Sequence, residues 1–366
     1  MEENIKIFGA ALDALSSPER VNLKLAYIHH RSNKSLGEEE GKDPYDFIKK
    51  CITKSTIKDQ RINWVGKISI PSWLTPKPKG SDSPKLSVDK FNQFLKNNGC
   101  WKHALLVVDY INKKIYPSLP VMIGVDHSLT GGSIMALAKR YPNLNVIILD
   151  AHFDVMKVDR IYSEGYLSGS GVLNAENGKK LGDIKTLDYY GCGNFLDFLL
   201  ENKIISPKKL WILGVQDEIS QELKQRNNSQ HNLDLNALSI KKWVRNGVNI
   251  IFKNEVQSGR FKIDLNGPTY ISVDIDVGSL ASIYSARFMN SYGLNVNEFL
   301  QLLHRISEFI ESSNEPLVGF DIMEFDIHFL EASKLKDIKD HTEQIVREIF
   351  EIFMINEGGI EIRYLS

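Results

Sequence analysis

Cysteine is scarce in this chain. Cys51, Cys100 and Cys192 are the only three among 366 residues, and none forms a C-x-x-C pair. An odd, scattered set gives no disulfide framework and fits a reducing cytoplasm. Long apolar runs are also missing. No window approaches the roughly 20 apolar residues that a membrane-spanning helix needs. The opening MEENIKIFGAALDALSS carries acids early and has no long apolar core, so no signal peptide is expected. Charge of one sign is missing too. Lys and Arg total 45 against 46 Asp and Glu, a net charge of -1, which offers no basic field for nucleic acid and no acidic tail. The TGGS at 130–133 is not the G-x-G-x-x-G of a dinucleotide fold. There is no internal repeat. These absences leave a cytoplasmic protein with neither nucleic acid nor membrane as partner.

Apolar residues are plentiful, at 42%, enough for a sizeable core. They recur in short runs: 5–12 (IKIFGAAL), 119–126 (LPVMIGVD), 145–150 (NVIILD), 209–215 (KLWILGV), 248–252 (VNIIF), 269–276 (TYISVDID) and 315–322 (EPLVGFDI). The runs are nearly continuous rather than alternating, as parallel strands buried on both faces require. Helix-like stretches lie between them at 131–141, 194–202, 238–247, 295–313 and 341–355. In 295–313, Phe299, Leu302, Leu303, Ile306, Phe309 and Ile310 fall at helical spacing. Strand alternating with helix predicts an α/β fold with a central, mainly parallel sheet between helices, read as one domain over 1–366. Two polar regions, about 31–99 and 217–236, interrupt the alternation and read as surface loop insertions or as rim loops over a site.

Ligands of such sheets bind outside the carboxyl ends of the strands, and three of the predicted strands end in similar chemistry. The first ends in GVDHS, with Asp126 and His127, the second in DAHFD, with Asp150, His152 and Asp154, and the third in SVDID, with Asp274 and Asp276. Side chains two apart on an extended segment point the same way, so the second and third sets could each face one point, and His127 can reach in from an adjacent strand end. One Asp after a strand is commonly a helix cap, and a lone His is more often a hydrogen-bonded structural residue. Three such clusters on three strand ends of one chain are hard to explain by capping. Oxygen donors with two imidazoles suit Mn2+ or another hard divalent ion better than a thiolate-type zinc site. The four carboxylates of the last two sets and the two imidazoles make six side chains, which exceed the needs of one ion and fit two, with a carboxylate shared between them.

In this order along the chain, GVDHS, DAHFD and SVDID resemble the metal motifs of the ureohydrolases, the family of arginase, agmatinase and formiminoglutamase. The usual forms are GGDHS, DAHxD and SxDxDxxDP. The resemblance covers roughly 119–350. It implies a three-layer α/β/α fold and a centre of two Mn2+ ions. His127, Asp150, Asp154 and Asp274 are implied as ligands, with His152 and Asp276 completing the pair. One Asp of each of the last two motifs would bridge. Asp154 counts among the catalytic residues as well. A further match in VGFDIMEFD (318–326) puts Glu324 where the family carries a glutamate, whose carboxylate could clamp a planar guanidinium through two parallel hydrogen bonds. The resemblance implies hydrolysis of a C–N bond in a small guanidino or formimino compound, with urea or formamide and an amine as products. Relatives are often trimers or hexamers, so a homo-oligomer is compatible with it.

The chain departs from the family pattern in three places. Ser279 and Leu280 stand where the third motif continues to Asp-Pro. A histidine downstream of DAHxD is missing; Cys192 in YYGCGNFLDF is the preferred substitute, a proton donor, with Ser168 in GYLSGSG or His231 as alternatives. The loop after DAHFD matches arginase poorly, leaving Asp159, Arg160, Ser163 and Glu164 without assigned roles. The substrate is therefore not expected to be that of an ordinary arginase, and the polar excursions could admit a larger one, an arginine side chain in a peptide included. Two rival readings are a relative that binds without catalysis, and a deacetylase-like amidohydrolase using one zinc and fewer carboxylates.

Overall fold

The computed structural model describes residues 4–32, 43–54, 61–156, 189–216, 235–289, 292–330 and 339–355. Among these, eight strands form one sheet: β1 (Ile5–Ala10), β2 (Ile62–Lys67), β3 (Leu119–Gly124), β4 (Asn145–Leu149), β5 (Leu210–Val215), β6 (Asn249–Phe252), β7 (Thr269–Asp274) and β8 (Leu317–Met323). Their order is β2-β1-β3-β8-β7-β4-β5-β6, and every neighbouring pair is parallel. All seven strands expected from the apolar runs are present, within a few residues of the expected limits.

Helices cover both faces, because each strand alternates its side chains between two cores. Val146 and Ile148 of β4 join one cluster and Ile147 and Leu149 the other. The first cluster receives α1 (Pro18–Ser32), α3 (Val88–Lys96), α4 (Gly99–Tyr110), α5 (Thr130–Ala138), α6 (Phe195–Glu201) and α7 (Leu235–Arg245). The second receives α2 (Pro44–Lys54), α8 (Lys253–Ser258), α9 (Val296–Ser313) and α10 (Thr342–Phe350). Helix α9 shows how the sequence dictates such an element. Phe299, Leu302, Leu303, Ile306 and Ile310 form the buried stripe. Asn295 accepts from the Glu298 N–H at 3.1 Å, and Glu298 returns a carboxylate to the Asn295 N–H at 2.9 Å. Asn314 ends the helix in the left-handed conformation, φ 55°.

The 31–99 stretch is more than a surface excursion: its described residues supply α2, β2 and α3. Strand β2 pairs with β1 from Ile5↔Ile62 onward and forms one edge of the sheet. Its sequence, INWVGK, has no fully buried residue, with Asn63 and Lys67 exposed and the rest half-buried, and this exposure at an edge explains why no apolar run announced it. The segment 74–85, read as a loop, contains the short 3₁₀ turn Gly80–Lys85. Most of 35–44 and nearly all of 217–236 lie outside the described residues.

The register aligns the strand ends that matter. Leu149 pairs with Val273, Asp274 with Met323, and Ile123 with Ile322. Asp150, Asp274 and Glu324 therefore leave the sheet at nearly one level, with His127 just beyond the end of β3. Gly214 keeps β5 close to this end. Its φ is +95°, and a Cβ there would stand 2.3 Å from Val277 Cγ2, beside Asp276.

Candidate metal centre

Four adjacent strands, β3-β8-β7-β4, bring the expected residues together. His127 is fully buried and points Nδ1 at three carboxylates: Asp154 Oδ2 at 3.0 Å, Asp274 Oδ2 at 3.1 Å and Asp150 Oδ2 at 3.2 Å. His152, a quarter exposed, points Nδ1 at Asp276 Oδ2 at 2.9 Å and Asp150 Oδ1 at 3.4 Å. Asp150 thus presents one oxygen to each histidine. Three groups of donors converge within 4.8 Å: His127, Asp150 and Asp154; Asp150, His152 and Asp276; His127, Asp274 and Glu324.

Local hydrogen bonds orient these carboxylates. Asp150 Oδ1 accepts the His152 N–H at 2.6 Å, Asp274 Oδ1 the Asp276 N–H at 2.9 Å and Asp276 Oδ1 the Ala151 N–H at 3.1 Å. Each acid spends one oxygen on the backbone and turns the other inward. The inward atoms are poorly satisfied: His127 Nδ1, Asp150 Oδ2, Asp276 Oδ2 and Glu324 Oε2 are buried without a hydrogen-bond partner. One ring nitrogen offers at most one proton, too little for three carboxylates. A hard divalent ion about 2.1 Å from each of its donors sets neighbouring donors about 3 Å apart, close to the separations here. Spacing, orphaned atoms and donor chemistry all fit divalent metal.

The electrostatics agree. Burial, then the charge of Asp150, pushes Asp154 up to about 7. Burial, then Asp276 and Asp150, raises Asp274 well above the usual range, and burial with Asp274 does the same to Glu324. Burial alone would lower the two histidines, but the carboxylates around them raise both. So much buried negative charge calls for cations.

Three features had no role assigned to them in the sequence reading. Behind His127, Nε2 meets Ser272 Oγ at 2.9 Å, and Ser272 donates to the buried Asp321 at 2.5 Å. Asp321 also accepts from Thr130 and Tyr270. This chain fixes the imidazole ring and its tautomer. Its sequence signal was available: Ser272 lies two residues before Asp274, and Asp321 is a lone acid inside an apolar strand. Phe195 packs on His127, with ring centroids 4.8 Å apart, and Phe288 lies edge-on to His152 at 6.1 Å. The third feature is Arg287, buried beside Asp126 in the loop after β7, where no motif marked it.

Other expectations fall as follows. Asp154 and Glu324 both adopt the left-handed conformation, φ 48° and 64°, a strain typical of functional positions. Where Asp-Pro was missing, Leu280 has φ 58°, and the Ser279 N–H donates to Asp276 O at 2.8 Å. Asp274 and Asp276 keep their inward direction. Cys192 lies in the turn before α6, which is tied to the DAHFD segment by Met156 N–H to Gly193 O at 3.0 Å and Leu196 N–H to Asp154 O at 3.2 Å. Withdrawal from water, then the charges of Asp126 and Glu324, push this half-buried thiol well up. Asp159, Arg160, Ser163, Glu164, Ser168 and His231 lie outside the described residues. No helix among the described residues is long and apolar enough to cross a membrane.

Known proteins share this arrangement of strands and the sequence around it. The arginase of Staphylococcus aureus is 24% identical over 194 residues, 50% of this chain and 59% of that one. The chain thus spans about three-fifths of the length of that curated relative. Proclavaminate amidino hydrolase from Streptomyces clavuligerus superposes with a TM-score of 0.53 at 19% identity, covering 96% of this chain and 92% of that one. Formimidoylglutamase from Bacillus subtilis superposes with a TM-score of 0.53 at 17% identity, covering 96% and 86%. At such identities the superpositions speak for the three-layer fold. The model of the Arginase family matches residues 34–349, which include every one of the converging donors, and this chain belongs to that family.

Proposed function

We propose that this protein is a metal-dependent hydrolase that cleaves a C–N bond of a guanidino or formimino compound. The observation that carries the reading is the convergence of Asp150, Asp154 and Asp274 on His127 and of Asp150 and Asp276 on His152, with inward atoms left unsatisfied. These six residues would hold two divalent ions, and Mn2+ suits their oxygen-rich set. Two histidine-centred donor groups with a common carboxylate favour a pair of ions over the single zinc of a deacetylase-like site.

When bound, the metal pair supplies a water acidic enough to act as a nucleophile near neutral pH. The chain's own residues do the rest. Glu324, buried with Oε2 unpartnered, would take the planar cation of the substrate and turn its central carbon toward that nucleophile. Cys192, held protonated, would hand a proton to the departing amine rather than act as a nucleophile. Asp154 is placed beside His127 both to ligate and to steer protons. Water adds across the C–N bond, leaving urea and an amine from a guanidino compound, or formamide and an amine from a formimino one. A small guanidino compound is the expected substrate class, with peptide-borne arginine as its larger form.

The test is product analysis by mass spectrometry. Manganese-loaded protein would be incubated with arginine, agmatine, guanidinobutyrate, guanidinopropionate, formiminoglutamate and arginine-containing peptides. Urea or formamide appearing with one matching amine supports the reading. Two metals bound with no product from any compound favours a binding protein without catalysis.

A further inference from the structure

Six charged side chains lie buried next to the metal centre, and hydrolysis as described uses none of them. Asp13 follows β1, Asp126 follows β3, Arg287 lies in the loop after β7, and Asp326 follows β8; Arg20 and Lys24 reach in from α1. The Arg20 Nε–H donates to both Asp13 oxygens, at 3.1 and 2.8 Å, and Arg20 Nη1 pairs with Asp326. Lys24 Nζ lies 3.2 Å from Asp13 Oδ2 and donates to Asp13 O at 2.7 Å. Arg287 joins this group to the metal cluster. Its Nη1 donates to Asp126 Oδ2 at 3.2 Å, and its Nη2 stands 3.3 Å from Asp13 Oδ1. Asp126 Oδ1 caps the turn that carries His127, accepting from the Ser128 N–H and hydroxyl. The main chain of Arg287 acts as well. Its N–H donates to Glu324 O at 2.7 Å, while the Asp326 N–H donates to Ser285 O at 2.6 Å, clasping Glu324 between two bonds.

We propose that Arg287 is a positioning residue for the metal centre, tying the His127 turn to the end of β1 while its backbone holds Glu324 in the left-handed conformation. The inference rests on the reading of His127 as a ligand and Glu324 as the substrate clamp. Its physical ground is the cost of the arrangement. A buried ion network seldom adds stability over apolar packing of the same shape. Here the arginine fork spans two strand ends that no backbone pairing holds together beyond Gly124 and Ala10. A planar, always charged fork fixes two carboxylates at set angles, which a flexible ammonium does not.

The experiment measures Mn2+ binding by calorimetry and electron paramagnetic resonance on the full chain, with thermal melting alongside. Wild type is compared with Arg287→Met, Arg287→Lys and Lys24→Met. Arg287→Met should weaken Mn2+ binding about 10- to 100-fold, the usual cost of losing support behind a ligand. Arg287→Lys should restore the melting temperature but not the affinity. Lys24→Met, at the far end of the network, should lower the melting temperature and leave Mn2+ affinity at the wild-type level. Wild-type affinity in a folded Arg287→Met protein overturns the proposal. So does an equal loss of affinity in Lys24→Met, because the network would then serve the fold alone. Should Arg287→Met not fold, Arg287→Lys decides: at least a tenfold loss against Lys24→Met supports the proposal, and equal affinities overturn it. A wild type that binds two Mn2+ ions but hydrolyses nothing on the panel refutes the catalytic reading and leaves this test intact. A wild type that binds no Mn2+ removes both.

Discussion

Two buried clusters of charge sit side by side at the carboxyl end of the sheet, and they solve the problem of burial differently. The network of Asp13, Asp126 and Asp326 with Arg20, Lys24 and Arg287 has three acids and three bases, so its charges cancel internally. In the cluster of Asp150, Asp154, Asp274, Asp276 and Glu324 the ion pairs are with His127 and His152, and Arg287 reaches Glu324 only from the edge. The first balances its charge from its own chain, although Arg20 Nη2, Arg287 Nε and Arg287 Nη2 stay without hydrogen-bond partners. In the proposed reading, the second is completed by cations from outside. A buried acidic cluster left without Lys or Arg ion pairs fits the proposed role of holding cations.

Breaking this contrast should give effects of graded size. Asp150→Ala removes the carboxylate shared by both histidines, and turnover should fall by more than about 1,000-fold, several kcal/mol of lost transition-state stabilisation; normal turnover by this variant would sink the assignment. In the balanced network, Asp13→Ala leaves three cations facing two acids. It should cost about 3–5 kcal/mol of stability, seen in denaturant unfolding, because an uncompensated buried charge is left behind. Removing metal with a chelator should lower stability by about 2.7 kcal/mol relative to protein held at 100 times its dissociation constant. The melting temperature of Asp13→Ala should respond to the chelator as wild type does, while that of Asp150→Ala should respond far less.

Acid sharpens the comparison further. Burial would raise the Asp13 carboxyl, but Arg20, Lys24 and Arg287 hold it well below the usual carboxylate range. Its folded value lies below the unfolded value, so the unfolded chain binds the proton more readily. The stabilisation is complete above the ordinary carboxylate range near pH 4 and is lost as pH falls below it. Asp13→Asn should therefore flatten the acid limb of the stability curve measured between about pH 5 and 2. The smallest change is Gly214→Ala. A methyl group against Val277 at φ +95° should cost about 1–3 kcal/mol and shift Mn2+ affinity through the adjacent Asp276.

The two clusters also differ in how visible they were in the sequence. Asp150, His152 and Asp154 stand at i, i+2 and i+4 after one buried strand and Asp274 and Asp276 at i and i+2 at the end of another, so local periodicity could group each set. Glu324 became visible through the resemblance. The balanced network has no such signature. Asp13, Arg20 and Lys24 look like an ordinary loop and a charged helix, and Arg287 is 161 positions from the Asp126 it bonds. Partners so far apart are set by the order of the strands, which spacing along the chain does not encode. The same applies to β2, whose INWVGK lacks an apolar run because one of its flanks has no neighbouring strand. The central strands, apolar on both faces, were readable for the opposite reason.

The strand order has one more consequence, in time rather than in space. Strand β8 is the last of the eight to leave the ribosome, yet it belongs near the middle of the sheet, between β3 and β7. At about 5–20 residues per second, roughly 10–40 s separate the synthesis of β3 from that of β8. During that interval the halves β2-β1-β3 and β7-β4-β5-β6 each carry an open inner edge that must wait for the same missing strand. Glu324 is the residue that follows its insertion, so the complete set of acids assembles only once the nascent chain has closed the gap. Intact protein and a chain stalled before residue 317 should differ in whether they hold metal at all.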